Sequence, residues 1–91
     1  MKKDQYASII DVRTPGEFNI QHVPGAINIP LDQLARRIGD LRELPGPILA
    51  YCQSGNRSGI AVSILKQHGF VNVVNGGGIE DVLTTIKFKR A

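Results

Sequence analysis

Cys52 is the only cysteine in the chain, and its neighbours are the types that reactive sulfur needs. It ends the apolar run Pro47-Ile48-Leu49-Ala50-Tyr51 and opens the loop Gln53-Ser54-Gly55-Asn56-Arg57-Ser58. The segment Gly59-Ile60-Ala61-Val62-Ser63-Ile64-Leu65, closed by Gly69, then reads as helix. A thiol between a strand end and a helix start meets unpaired backbone N–H groups and the positive end of the helix dipole. Such a site favours the nucleophilic thiolate and can draw a cysteine pKa from about 8.5 to between ~3.5 and ~7.5. Gly55 can adopt positive φ, which lets successive N–H groups curl toward one point as an anion-binding nest. Ser54 and Ser58 offer hydroxyl donors, and Arg57 brings a permanent charge with planar donors suited to oxyanions. The same groups would hold a persulfide anion carried on Cys52. Lone cysteines are usually small buried hydrophobes, but this loop is too polar and too glycine-centred for ordinary core. The expectation is an exposed, ionised sulfur facing inward-pointing amides.

The flanking elements must put that sulfur at a usable place. Ala7-Ser8-Ile9-Ile10-Asp11-Val12 reads as a short buried strand. Thr14 follows as N-cap with Pro15 at the first helical position and Glu17 completing a capping box, so a short helix runs to about Gln21. Pro24-Gly25 turns the chain into a second strand, Ala26-Ile27-Asn28-Ile29, ended by Pro30. Leu31, Leu34, Ile38 and Leu41 recur at helical spacing, with Arg36, Arg37 and Asp40 outside and Gly39 weakening the helix without ending it. Pro45-Gly46-Pro47 is a break before the strand that leads to Cys52. Val71-Asn72-Val73-Val74 is a fourth strand, Gly76-Gly77-Gly78 a flexible turn, and Ile79, Val82, Leu83 and Ile86 mark a last helix. Strands alternating with helices imply an α/β domain: a small, mostly parallel sheet of about four strands with helices on both faces. Ligands of such sheets bind at the carboxyl ends of the strands, where Cys52 falls.

Bulk properties narrow the function. Ninety-one residues, 42% apolar and 21% charged, suit a single domain spanning 1–91 with a modest core. One cysteine leaves no internal disulfide, and no metal or cofactor is expected. A reducing, cytoplasmic setting fits, since the start Met1-Lys2-Lys3-Asp4-Gln5-Tyr6 lacks the apolar region of a signal peptide and no window nears the ~20 apolar residues that cross a membrane. The net charge of +3 is too small to argue for nucleic acid. The tail Lys87-Phe88-Lys89-Arg90 reads as solvated surface, and a weak positive field helps small anions approach. Gly76-Gly77-Gly78 lacks the Lys-Ser/Thr of a phosphate-binding loop. His22 suits a turn, His68 a helix end, and Glu17 a cap; no general base stands near Cys52 in the sequence, and a preformed thiolate needs none.

Two stretches resemble the rhodanese-like sulfurtransferase family. One is Ile9-Ile10-Asp11-Val12-Arg13-Thr14-Pro15-Gly16-Glu17-Phe18, continuing to His22-Val23-Pro24-Gly25-Ala26-Ile27-Asn28-Ile29-Pro30; the other is Tyr51-Cys52-Gln53-Ser54-Gly55-Asn56-Arg57-Ser58 with Gly77-Gly78-Ile79. The resemblance implies a three-layer rhodanese-like fold. It implies that Cys52 accepts a sulfane sulfur from thiosulfate or a similar small anionic donor and passes it to cyanide, a thiol or a protein. It assigns Gln53, Ser54, Gly55, Asn56 and Arg57 to the sulfur cradle, Arg13 to binding of the anionic donor, and Asp11 and Ser58 to support of the loop. A carrier module loaded by a protein donor is the alternative. Four residues separate Cys52 from Arg57, whereas phosphatases and arsenate reductases of related fold place one more, which disfavours that chemistry. Many members begin with an additional strand and helix, and here only six residues precede Ala7, so one edge strand and its covering helix are expected to be absent. The tryptophan that usually follows Gly-Gly-Ile is replaced by Glu80-Asp81-Val82.

Overall fold

The computed structural model describes residues 6–90, and the side chains of 6–85. The expected start at Met1–Gln5 and the side chains of Ile86 and of the basic run Lys87-Phe88-Lys89-Arg90 lie outside the described residues. The chain folds as β1 (Ser8–Asp11), α1 (Pro15–Ile20), β2 (Ile27–Asn28), α2 (Leu31–Leu34), a 3-10 turn (Ala35–Arg37), α3 (Ile38–Arg42), β3 (Ile48–Cys52), α4 (Asn56–Gln67), β4 (Val73–Gly78) and α5 (Ile79–Arg90). The strands form one parallel sheet in the order β2-β1-β3-β4.

Strand alternation sends neighbouring side chains to opposite faces of this sheet. Ile10, Val12, Ile48, Ala50 and Cys52 pack with Leu34, Leu41, Ala61 and Leu65 on the face covered by α2, α3 and α4. Ile9, Leu49 and Tyr51 pack with Val23, Ile79 and Val82 on the face covered by α5. Helices therefore cover both faces, as the alternating pattern of strands and helices predicts. No helix among the described residues is long and apolar enough to cross a membrane.

Three local expectations change. The helix drawn through Leu31–Leu41 is divided by the 3-10 turn, with Arg37 at φ −110°, while Gly39 sits undisturbed inside α3. The helix after the cysteine loop begins at Asn56, earlier than the apolar spacing suggests, because polar residues suit its first turn. The largest difference is Gly76-Gly77-Gly78, which is strand and not turn. Ala50 pairs with Asn75 but Tyr51 pairs with Gly77, so Gly76 is the extra residue of a β-bulge. A glycine run looks like a turn until a partner strand claims its backbone.

Candidate active site

The bulge brings β4 back into step beside the end of β3, with Cys52 opposite Gly78. A Cβ on Gly78 would lie 2.5 Å from the Gln53 carbonyl oxygen, so only glycine lets the loop rest against β4. The loop turns at Gly55, whose φ of 99° is left-handed and disfavours any side chain. This turn aims the Gly55 N–H at Cys52 Sγ, 3.0 Å away. It also starts α4 at once, placing the Ser58 hydroxyl 3.4 Å from the same sulfur.

The sulfur is not at the surface. Cys52 is 0% exposed, which corrects the expected exposed thiol. The physical reason is parity: as the last residue of β3, Cys52 points into the α4 face of the sheet. The expected inward amides are nevertheless present. Burial pushes the thiol pKa up, but the Ser58 hydroxyl and the backbone amides of Ser58, Ser54 and Gly55 together hold it below its ordinary value. The donors outweigh the loss of water.

The remaining loop residues divide by role. Gln53, Ser54 and Asn56 are exposed, and Ser58 is buried. Arg57 donates to both carboxylate oxygens of Glu17, at 2.8 and 3.0 Å, tying the start of α4 to α1. Glu17 also accepts from the Thr14 N–H and completes the predicted capping box. Arg57, ahead of the Thr14 amide, is the main cause of a Glu17 pKa lowered to about 2. Arg57 further lines a cavity of about 320 Å³ with Val12, Arg13, Thr14, Pro30, Leu31 and Asp32; Cys52 is not on its wall.

Arg13 borders the same cavity, with its guanidinium engaged by protein partners. It is 3% exposed. Its Nε and Nη2 donate to the Asp11 carboxylate, Nη2 also to the Gln21 carbonyl, and Nη1 to Gln53 Oε1 at 3.1 Å. The Asp11 hydrogen bond, opposed by burial, raises the Arg13 pKa. Asp11 thus supports the loop at one remove, by orienting the arginine that braces Gln53. Asn28 completes this corner by donating to the carbonyls of Asp11 and Arg13. His22 stacks on Phe18 at 3.8 Å, with Nδ1 2.9 Å from the Phe18 carbonyl oxygen, in keeping with a turn role.

Two contributors escape sequence reasoning. Glu17 reaches Arg57 across 40 positions, a pairing that only the fold creates. Asn75 lies behind the loop: its Nδ2 donates to the Gly55 carbonyl at 3.1 Å, and its Oδ1 faces Ser58 Oγ at 2.6 Å. The one signal for Asn75 is a polar residue directly after the apolar pair Val73-Val74.

A cysteine sulfur held by amides where a parallel strand gives way to a helix defines a class of sulfur- or oxyanion-handling α/β domains. Comparison with known proteins narrows it. The rhodanese-like domain model matches residues 1–84, and the chain belongs to that family. It is 40% identical over 74 residues to thiosulfate sulfurtransferase PspE of Escherichia coli (strain K12), covering 80% of this chain and 71% of that protein. It is 38% identical over 72 residues to the putative sulfur carrier protein YrkF of Bacillus subtilis (strain 168), covering 79% of this chain but only 38% of that protein. Among solved structures, a rhodanese with anions from E. coli superposes with a TM-score of 0.75 at 39% identity, covering 82% of this chain and 89% of that one.

Proposed function

We propose that this chain is a thiosulfate-type sulfurtransferase working through a persulfide on Cys52. The single observation that carries the reading is the Gly55 N–H aimed at Sγ from 3.0 Å, in a loop that also lowers the thiol pKa. The likeness to PspE supports the same donor. The Cys52 thiolate attacks the outer sulfur of thiosulfate. A bond forms between Sγ and that sulfur, the sulfur–sulfur bond of thiosulfate breaks, and sulfite leaves with the electron pair. A nucleophilic acceptor, whether cyanide, a thiolate or a protein thiolate, then attacks the terminal sulfur and Cys52 departs as thiolate. No proton moves in either half, so neither step needs a general base.

In this reading the loop from Gln53 to Arg57 receives the transferred sulfur. Arg57 attracts the anionic donor, and its place on the cavity wall supports that role. Arg13 borders the same cavity and also braces Gln53, and Asp11 and Ser58 hold the frame. We take residues 1–91 as one domain in a reducing, cytoplasmic setting, with no cofactor and no nucleic-acid or membrane partner.

Intact mass after incubation with thiosulfate tests the mechanism. The expected result is a gain of one sulfur atom that cyanide removes; an unchanged mass overturns it. The likeness to YrkF favours a second reading, a carrier loaded by a protein donor. Slow loading from thiosulfate but fast loading from a persulfidated protein would select it. Turnover of an aryl phosphate or arsenate would instead select the phosphatase or reductase chemistry that the loop length disfavours.

A further inference from the structure

The hydrogen bonds behind the loop compete for one proton. Asn75 has a fixed orientation, because its Oδ1 accepts from the Gly77 N–H at 2.9 Å while its Nδ2 donates to the Gly55 carbonyl. Exchanging the two atoms would set donor against donor and acceptor against acceptor. Oδ1 is therefore the acceptor that lies 2.6 Å from Ser58 Oγ, a short O–H···O distance. Ser58 has a single hydroxyl hydrogen. The Gly55 carbonyl at 3.2 Å and Cys52 Sγ at 3.4 Å are longer rivals for it. While the hydrogen points to Asn75, the Ser58 lone pairs face the sulfur and suit an S–H donor. For Ser58 to stabilise a thiolate, the hydroxyl must rotate and give up Asn75.

We propose that Asn75 is a positioning residue that sets how readily Cys52 ionises, by holding the Ser58 hydroxyl hydrogen away from the sulfur. While the sulfur carries its proton the hydroxyl favours the S–H, and the rotor turns when negative charge forms on the sulfur. Other charged and titratable groups surround the site. Arg57 has its charge answered by Glu17; Asp11 and Arg13 pair beneath the loop; Tyr51 points to the opposite sheet face; and Asp81 of α5 accepts the Gly78 N–H. Among the described residues, none of these hydrogen-bonds to Ser58 or to the Asn75 side chain.

This inference deepens the proposed function but is tested apart from it, because alkylation of Cys52 needs no sulfur donor. Iodoacetamide modification of the full chain across pH reads the thiolate fraction. Asn75→Ala should shift the profile downward by about half to one pH unit, or about three- to tenfold faster alkylation below the pKa. In a Ser58→Ala background the same substitution should shift it little. An upward shift, or equal shifts in both backgrounds, overturns the proposal. If Asn75→Ala fails to fold by circular dichroism, Asn75→Asp replaces it. That variant keeps an acceptor toward Ser58 and should raise the profile more with Ser58 present than with Ser58→Ala; equal rises overturn the proposal.

Discussion

Tyr51 and Cys52 are consecutive, both fully buried, and both weak acids, yet the two faces of the sheet treat them oppositely. On the α5 face, burial dominates and raises the Tyr51 pKa, while its hydroxyl accepts the Val23 N–H at 3.0 Å. On the α4 face, burial again pushes upward, but the Ser58 hydroxyl and the amides of Ser58, Ser54 and Gly55 favour the ionised sulfur and the net shift is downward. Dehydration alone therefore does not decide which acid ionises. The number of donors aimed at the atom does, and that number is set by the Gly55 turn and the immediate start of α4.

The largest expected effect separates the two acids by function. Cys52→Ala should reduce sulfur transfer to the uncatalysed background while changing stability by only about 1 kcal/mol. Tyr51→Phe should leave transfer near that of the parent but remove the acceptor of a buried N–H, destabilising the fold by about 1–3 kcal/mol in urea unfolding. Loss of transfer in a folded Tyr51→Phe protein would break the division of labour between the two faces.

Next in size is the turn itself. Gly55→Ala forces a Cβ into left-handed backbone at a cost of about 1–2 kcal/mol, and relaxation of that strain withdraws the amide from Sγ. The Cys52 pKa should rise, read as slower alkylation near neutral pH. An unchanged profile would mean that the amide contributes little, and Cys52 would then differ from Tyr51 for some other reason.

Much of this site is legible before any coordinates. Cys52, the loop and the following helix are contiguous, and the Thr14–Glu17 capping box is local, so their consequences need no tertiary knowledge. The alternation of strands with helices likewise implies a sheet covered on both faces. What stays hidden depends on distant partners. Whether Gly76-Gly77-Gly78 is turn or strand is decided by β3, and whether Cys52 is exposed is decided by where α4 settles. Arg13 illustrates the same limit: its type suits an anionic donor, but Asp11, Gln21 and Gln53 surround it.

The smallest effect tests the outer edge of the donor set. Glu17 ionises in the folded chain with a pKa of about 2, against an ordinary 4.5. Its carboxylate therefore stabilises the fold fully above about pH 4.5, and that contribution is lost as pH falls toward 2, because the unfolded chain takes up the proton first. The Glu17 and Arg57 side chains are 33% and 35% exposed, so water screens the pair and the contribution is about 0.3–1 kcal/mol. Glu17→Gln keeps an acceptor for the capping box and removes only the charge. The stability difference between parent and variant should be steady near neutrality and vanish between pH 4.5 and 2. The variant also leaves the Arg57 charge unanswered, and because that charge is felt at Cys52, the alkylation profile should move slightly downward. A difference in stability that ignores pH would show the pair to be silent, confining control of Cys52 to the amides and hydroxyl that touch it.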